Sequence, residues 1–289
     1  MIPITGHTHL TALLGSPVAH SISPLMHNEA FRLLGLDYVY LCFEVNEETL
    51  PAAVEGLRTC GIRGFNLTMP NKNKVVELLD ELSPAARLIG AVNTVVNDNG
   101  KLTGYNTDGV GYMQSVKDAG YDIIGKTITV MGAGGAATAI CAQAALDGVE
   151  TIHIFARKTS RFWGRTQKLA YNINSTLSCH AILHDNKDQA ALKESISQSA
   201  LLLNATSVGM APDTDASIIA DTSLYRPDLI VSDVIYNPRE TKFLREAREA
   251  GCQTFNGMYM LLYQGAEAFR LWTGQDMPVA EIKAKYFSE

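Results

Sequence analysis

The stretch Gly132-Ala133-Gly134-Gly135-Ala136-Ala137 constrains this chain more than any other. A short β-rich run, Lys126 to Met131, empties into the glycines, and a helical pattern of small residues, Ala136 to Leu146, follows them. A strand that turns through glycines straight into a helix is the phosphate-binding corner of a βαβ unit. The glycines permit the tight turn and a close backbone approach, and the first N–H groups of the helix face an anion. Ala137 stands where the pattern usually has its third glycine, and it is still small enough for a helix to pack closely on a strand. The same glycines would serve a turn that binds nothing, but the strand before and the helix after favour a dinucleotide.

Downstream, strands are expected at Thr151 to Phe155, His180 to His184, Leu201 to Asn204 and Leu229 to Val234, separated by amphipathic stretches such as Gln167 to Asn174 and Thr241 to Gly251. That alternation predicts a Rossmann-type, doubly wound parallel sheet. Upstream, Leu10 to Leu14, Tyr38 to Val45, Gly64 to Thr68 and Val92 to Val96 read as strands, with helices at Pro24 to Leu34 and Lys74 to Leu82. Asn97-Asp98-Asn99-Gly100 reads as a hairpin turn. After Gly257 the pattern is helical to the end, broken around Thr273 to Pro278. A chain of 289 residues exceeds a typical single domain. The fold class is therefore α/β, with an amino-terminal α/β domain over 1–108, a dinucleotide domain over 109–257, and carboxy-terminal helices over 258–289 that return to the first domain.

A net charge of -6 without a long basic block argues against nucleic acid or an anionic membrane as partner. The five cysteines are scattered and lack CxxC spacing, which disfavours a disulfide framework or a zinc site and points to a reducing cytoplasm. No basic residue precedes the first apolar stretch, and no apolar run approaches the roughly 18 to 20 residues that span a bilayer. His180 and His184 are spaced i,i+4, but they fall in a strand-like run, so no metal site is expected.

Two segments offer acid–base chemistry upstream of the glycine loop: Thr68-Met69-Pro70-Asn71-Lys72 and Gly104-Tyr105-Asn106-Thr107-Asp108-Gly109. A lysine and an aspartate at one polar substrate beside a dinucleotide suit the oxidation of an alcohol or the reduction of a ketone, where a side chain moves the proton and the cofactor moves the hydride. Spacing alone leaves Lys72 and Lys74 as alternatives. Asp108 also reads as the N-cap of a helix Val110 to Ala119, and Ser23 as an N-cap before Pro24. The cofactor's ribose should meet the residues after the second strand of the dinucleotide fold, Ala156-Arg157-Lys158-Thr159-Ser160-Arg161. This run has no acid for a 2′-hydroxyl, and Arg157 and Arg161, with Lys158, offer charge for a 2′-phosphate. NADP is therefore expected, with a solvated basic loop as the plain alternative.

Seven ordered segments, Gly15 to Pro24, Asn66 to Lys72, Gly90 to Thr94, Tyr105 to Gly109, Gly132 to Ala136, Asn204 to Met210 and Gly257 to Gln264, together resemble the shikimate dehydrogenase family. The Pro70-Asn71-Lys72 variant and the run from Gly257 to Glu267 are most similar to its quinate/shikimate dehydrogenase branch. The resemblance implies Lys72 rather than Lys74 as the proton-transferring lysine, with Asp108 beside it. It implies that Ser21 and Ser23 hold a substrate carboxylate, that Thr68, Asn93 and Gln264 bind hydroxyls, and that Tyr236 closes the pocket. Gly132, Ala133, Gly134, Gly135 and Ala136 would cradle the pyrophosphate, and Ala156, Arg157, Lys158, Thr159 and Arg161 would meet the ribose. Val234 and Gly257 would approach the nicotinamide. Two departures bear on the cofactor: Ala156 replaces the family's usual asparagine, and Thr159 stands where the branch often has an acid. The branch pulls toward NAD or dual use while the charges pull toward NADP.

The resulting expectation is NAD(P)-dependent interconversion of 3-dehydroshikimate and shikimate in aromatic biosynthesis, by a cytoplasmic monomer or homodimer. The alternatives are a quinate/shikimate dehydrogenase of quinate catabolism, a non-catalytic shikimate or quinate sensor, and an enzyme acting on another small carbocyclic acid.

Overall fold

The computed structural model describes residues 3–287. The chain divides into two compact units, one running to Thr107 and resuming at Leu262, the other spanning Asp108–Leu261.

The first unit is built on β1 (His9–Gly15), α1 (Ser23–Leu34), β2 (Tyr38–Glu44), α2 (Leu50–Thr59), β3 (Gly64–Leu67), β4 (Glu81–Leu82), α3 (Pro84–Ile89), β5 (Thr94–Asp98) and β6 (Lys101–Tyr105). They form a mixed sheet in the order β2-β1-β3-β5-β6-β4, parallel where crossovers return and antiparallel at β3/β5 and β5/β6. The β5–β6 connection is the expected hairpin. Asn99 and Gly100 take φ of 55° and 93°, and Asn97 Oδ1 accepts from Gly100 N–H at 2.7 Å. Leu14, Phe65, Val95 and Leu102 are fully buried in the core beneath the sheet.

The expected helix at Lys74 to Leu82 is not formed. A 3-10 helix covers Lys74–Leu78 only, and the chain then runs as β4 beside β6. Asp80 explains the break: its N–H donates to Leu102 O at 3.0 Å, and its carboxylate accepts from Leu102 N–H at 2.7 Å. Pairing with a sheet edge overrides the weak helix preference of a run holding Val75 and Val76.

The second unit contains α4 (Asp108–Asp118), β7 (Thr127–Met131), α5 (Gly135–Asp147), β8 (Thr151–Ala156), α6 (Trp163–Thr176), β9 (His180–Asp185), α7 (Gln189–Gln198), β10 (Leu201–Asn204), β11 (Ile230–Asp233), α8 (Lys242–Glu249) and β12 (Gln253–Phe255). The sheet order is β12-β11-β10-β7-β8-β9 and every pair is parallel, which is the doubly wound arrangement. Helix α5 is buried through Ala137, Ala139, Ile140 and Ala142. Gly109 lets α4 approach it so closely that a Cβ there would lie 2.4 Å from Ala139 O.

Helix α9 (Met258–Thr273) and helix α10 (Val279–Tyr286) end the described chain. From Leu262 onward they belong to the first unit. Trp272 is buried and its Nε1–H donates to Val95 O at 2.9 Å, while its own carbonyl accepts from Arg63 Nε at 2.8 Å. Glu29 on α1 pairs with Lys285 on α10 and with Arg32, which together hold its carboxyl down at about 2.

Candidate functional site

A cavity of about 820 Å³ opens at the carboxyl ends of the second unit's strands, where a doubly wound sheet binds its ligand. Gly132, Ala133, Gly134, Gly135 and Ala136 line it, as do Ala156, Arg157, Val234 and Tyr236. Gly132 has φ of 126°, and a Cβ there would lie 2.7 Å from Ala205 O, so a glycine is required on two counts. Gly134 caps α5, whose N-terminus faces the loop.

Arg157 stands at the rim, exposed, and its carbonyl accepts from Ser160 N–H at 2.8 Å in a tight turn. Lys158, Thr159 and Arg161 are also exposed but do not line the cavity. The Arg161 guanidinium lies 4.7 Å from the ring centre of Phe162, which is a lining residue. Arg165 donates to Thr138 Oγ1 at 3.0 Å, and burial lowers its pKa.

The far wall is braced by a buried carboxylate. Asp233 accepts from Thr241 Oγ1 at 2.8 Å, from Ile235 N–H at 2.9 Å, and from Asn204 Nδ2 at 3.2 and 3.1 Å. Asn204 Nδ2 also donates to Val208 O, and its Oδ1 accepts from the N–H and hydroxyl of Thr206. One network thereby ties the loop after β10 to the loop after β11, and both contribute lining residues. Burial pushes the Asp233 carboxyl up to about 6, against the opposing pull of its hydrogen bonds. Gly257 packs against the Val234 backbone from outside the lining.

In the first unit, backbone contacts gather several of the sequence-derived residues. Thr68 follows β3, Leu67 N–H donates to Asn93 O at 2.8 Å, and Val92 N–H donates to Lys72 O at 2.8 Å. Lys72 is partly buried, whereas Lys74 is exposed and ion-paired with Glu77. Asn93 is buried, with Nδ2 donating to Thr107 Oγ1 at 3.0 Å and Oδ1 accepting from Thr107 N–H at 2.7 Å. A polar chain continues from there: Asn66 Nδ2 donates to Asn93 O and Thr94 Oγ1, Tyr40 donates to Asn66 Oδ1 at 2.8 Å, and Tyr40 bonds Ser23.

Ser23 is the first residue of α1 and not its cap; Ile22 holds the cap position without a side-chain bond. The Ser21 hydroxyl instead accepts from Ser23 N–H at 3.2 Å, which leaves both side chains at the helix entrance. Asp108 is the first residue of α4. Gln264 precedes Gly265, whose Cα faces Met26 and His27 of α1. Among the described residues no three or more His, Cys, Asp or Glu side chains are grouped so that they could hold a metal ion.

The description "Shikimate dehydrogenase substrate binding domain" matches residues 13–95, and "Shikimate 5'-dehydrogenase C-terminal domain" matches residues 257–285. A protein of Listeria monocytogenes named shikimate dehydrogenase (NADP(+)) is 54% identical over 284 residues, covering 98% of this chain and 97% of that protein. The chain belongs to the shikimate dehydrogenase family. A Streptococcus uberis family member of the same name is 51% identical over 99% of this chain and 98% of its own. The crystal structure of the Listeria monocytogenes shikimate 5-dehydrogenase in complex with shikimate and NAD superposes with a TM-score of 0.95, at 54% identity over 97% of each chain. A quinate dehydrogenase from Corynebacterium glutamicum in complex with NAD gives a TM-score of 0.85 at 30% identity, over 98% of this chain and 99% of that one.

Sequence reasoning assigned no role to several cavity residues, among them Phe162, Asn186, Thr206 and Val208. The segment Asn204 to Met210 was visible as a family motif, but nothing in its residues announced that Asn204 is spent on Asp233. Asn186 carried one signal: it directly follows β9, a strand end on the ligand side of the sheet.

Proposed function

We propose that the protein catalyses the reversible NAD(P)-dependent reduction of 3-dehydroshikimate to shikimate. The observation that carries this is a dinucleotide-shaped cavity, with its glycine cradle and Arg157 at the rim, in a chain 54% identical over nearly its whole length to a shikimate dehydrogenase. The first unit is the substrate-binding unit and the second the cofactor unit. The residues fit a dinucleotide: Gly132 to Ala136 offer backbone N–H groups to the pyrophosphate, and Arg157 offers charge to a 2′-phosphate. When bound, the nicotinamide accepts or returns the hydride.

Lys72 takes the proton from the reacting hydroxyl in oxidation and returns it as an ammonium in reduction. Asp108 orients Lys72 and binds a neighbouring hydroxyl. Ser21 and Ser23 hold the carboxylate, since both hydroxyls sit at the entrance of α1. Thr68, Asn93 and Gln264 bind ring hydroxyls, and Tyr236, half exposed at the cavity wall, closes the site. No described helix is long and apolar enough to cross a membrane, and all five cysteines are free, which supports a cytoplasmic location.

NADP is the preferred cofactor in this reading, because the rim carries Arg157 and no carboxylate. Initial rates with shikimate and quinate, each against NADP and NAD, test it. Highest kcat/KM for shikimate with NADP is expected. A higher value for quinate would transfer the assignment to the quinate branch, and shikimate binding without turnover in any pairing would make the chain a sensor.

A further inference from the structure

We infer that Asn71 is a positioning residue for Lys72, because its side chain ties the segment carrying that lysine to the end of β2. The inference rests on the reading of Lys72 as the proton-transferring group. Asn71 lies between Thr68 and Lys72 in a turn whose other members Met69, Pro70 and Asn73 are exposed, yet its own exposure is 0%. A fully buried amide within a surface turn makes its bonds to the protein interior, so those bonds bear on where the turn stands.

The turn is stitched down from several sides. Thr68 N–H donates to Leu14 O at 3.0 Å and Ser16 N–H donates to Met69 O at 3.0 Å, which fastens its start to the end of β1. Asn71 N–H donates to Thr68 O at 2.9 Å, its carbonyl accepts from Val75 N–H at 3.1 Å, and Lys72 O accepts from Val92 N–H at 2.8 Å. All of these are backbone bonds that any residue other than proline could make. The Asn71 side chain adds a different one: Nδ2 donates to Val45 O at 2.8 Å. Val45 directly follows β2, and its N–H donates to Gly15 O at 2.9 Å. In the order β2-β1-β3 this bond reaches from the segment after β3 past the end of β1 to the second strand over.

Stability alone does not account for an amide at this place. Its Oδ1 is buried without a hydrogen-bond partner among the described residues, a cost that an apolar side chain of the same shape avoids. What an apolar side chain lacks is the donor for Val45 O, and that donor belongs to the residue next to Lys72. A lysine ammonium rides on a long, flexible stem, so its reach toward a reacting hydroxyl depends on where its Cα is held. Proton transfer needs hydrogen-bond distance, and a misplacement on the order of 1 Å can cost about 10²-fold in rate. The Asn71–Val45 bond removes that freedom.

The test compares wild type with Asn71→Leu, which keeps the volume and loses the donor, and with Asn71→Ala, which loses both. Urea unfolding and NADP binding by calorimetry report whether each variant is folded. In Asn71→Leu the urea midpoint should stay near that of wild type while kcat with shikimate falls by about tenfold and KM for shikimate moves by no more than about twofold. The solvent deuterium isotope effect on kcat should rise, because the proton step that Lys72 performs becomes slower relative to product release. Asn71→Ala should show the same kinetic pattern with lower stability. Wild-type kcat in the folded variants, a loss confined to KM, or an unchanged isotope effect would overturn the positioning role. So would failure of both variants to fold, which would make Asn71 a residue of stability alone. Near-wild-type turnover by Lys72→Ala would instead remove the lysine reading, and this inference with it.

Discussion

Gly257 lies against Val234 so tightly that a Cβ on Gly257 would fall 2.0 Å from the Val234 carbonyl oxygen and 2.3 Å from its carbonyl carbon. Backbone atoms have no rotamer by which to retreat, so a single methyl group must displace the end of β11. Val234 lines the dinucleotide cavity. Gly257→Ala should therefore raise KM for the cofactor by about tenfold or more, with a loss of stability in the range of ~1–3 kcal/mol. Denaturant titration and cofactor KM, measured on the same preparation, check both.

Lys72→Ala should lower kcat by roughly 10²–10⁴-fold while leaving the fold and cofactor binding intact. Lys74→Ala, which removes only an exposed partner of Glu77, should leave kcat within a factor of two or so of wild type. Initial rates of both variants decide between the lysines that the sequence spacing left open.

Arg157→Ala should weaken NADP by about 10- to 100-fold in kcat/KM and leave NAD nearly unchanged, because only the 2′-phosphate depends on that charge. The ratio of the two efficiencies is the readout. An equal loss for both cofactors would mean that Arg157 serves the pyrophosphate or the loop.

His27 is fully buried between aromatic rings, stacked on Tyr40 at 4.5 Å, and neither ring nitrogen has a hydrogen-bond partner among the described residues. Burial lowers its pKa from 6.5 to about 3. Between those values the unfolded chain takes up a proton that the folded chain refuses, so stability falls as the pH drops through that window and is unaffected above it. The slope from this one group approaches ~1.4 kcal/mol per pH unit. His27→Leu should remove that slope in urea titrations run from pH 7 to pH 4.

Asp233 acts in the opposite sense. Its carboxyl is raised by burial to about 6 from 3.8, so the folded chain binds the proton more readily than the unfolded one. The stability it contributes is complete below about pH 3.8 and is lost as the pH rises through about 6. Asp233→Asn should abolish that dependence. It should also cost about 1–3 kcal/mol at pH 7, because one amide oxygen cannot serve Asn204, Thr241 and Ile235 together. Loosened walls around Asn204 and Val234 should appear as a raised cofactor KM.

The local signals that could be read without tertiary contacts were the ones written in glycine, proline and hairpin chemistry. Gly132 to Gly135 marked the phosphate corner, Asn99-Gly100 marked the turn, and the break at Thr273 to Pro278 separated α9 from α10. Helix α3 was equally legible in principle: Ser83 caps it by accepting from Ala86 N–H, Pro84 begins it, and Gly90 ends it at φ 69°. The 3-10 helix at Lys74–Leu78 was not legible, since Asp80 is drawn into an edge pairing with Leu102, a partner 22 residues away.

Strand alternation, the glycine loop and the ordered motifs thus determined the fold class, the family and the lysine and aspartate to examine, because those depend on local backbone chemistry and on patterns kept in one dimension. Only the tertiary structure decided that Asp233 braces two loops and that Gly257 is pressed on Val234. Each of those depends on which distant segments the sheet order makes neighbours, and that order follows from packing the whole core.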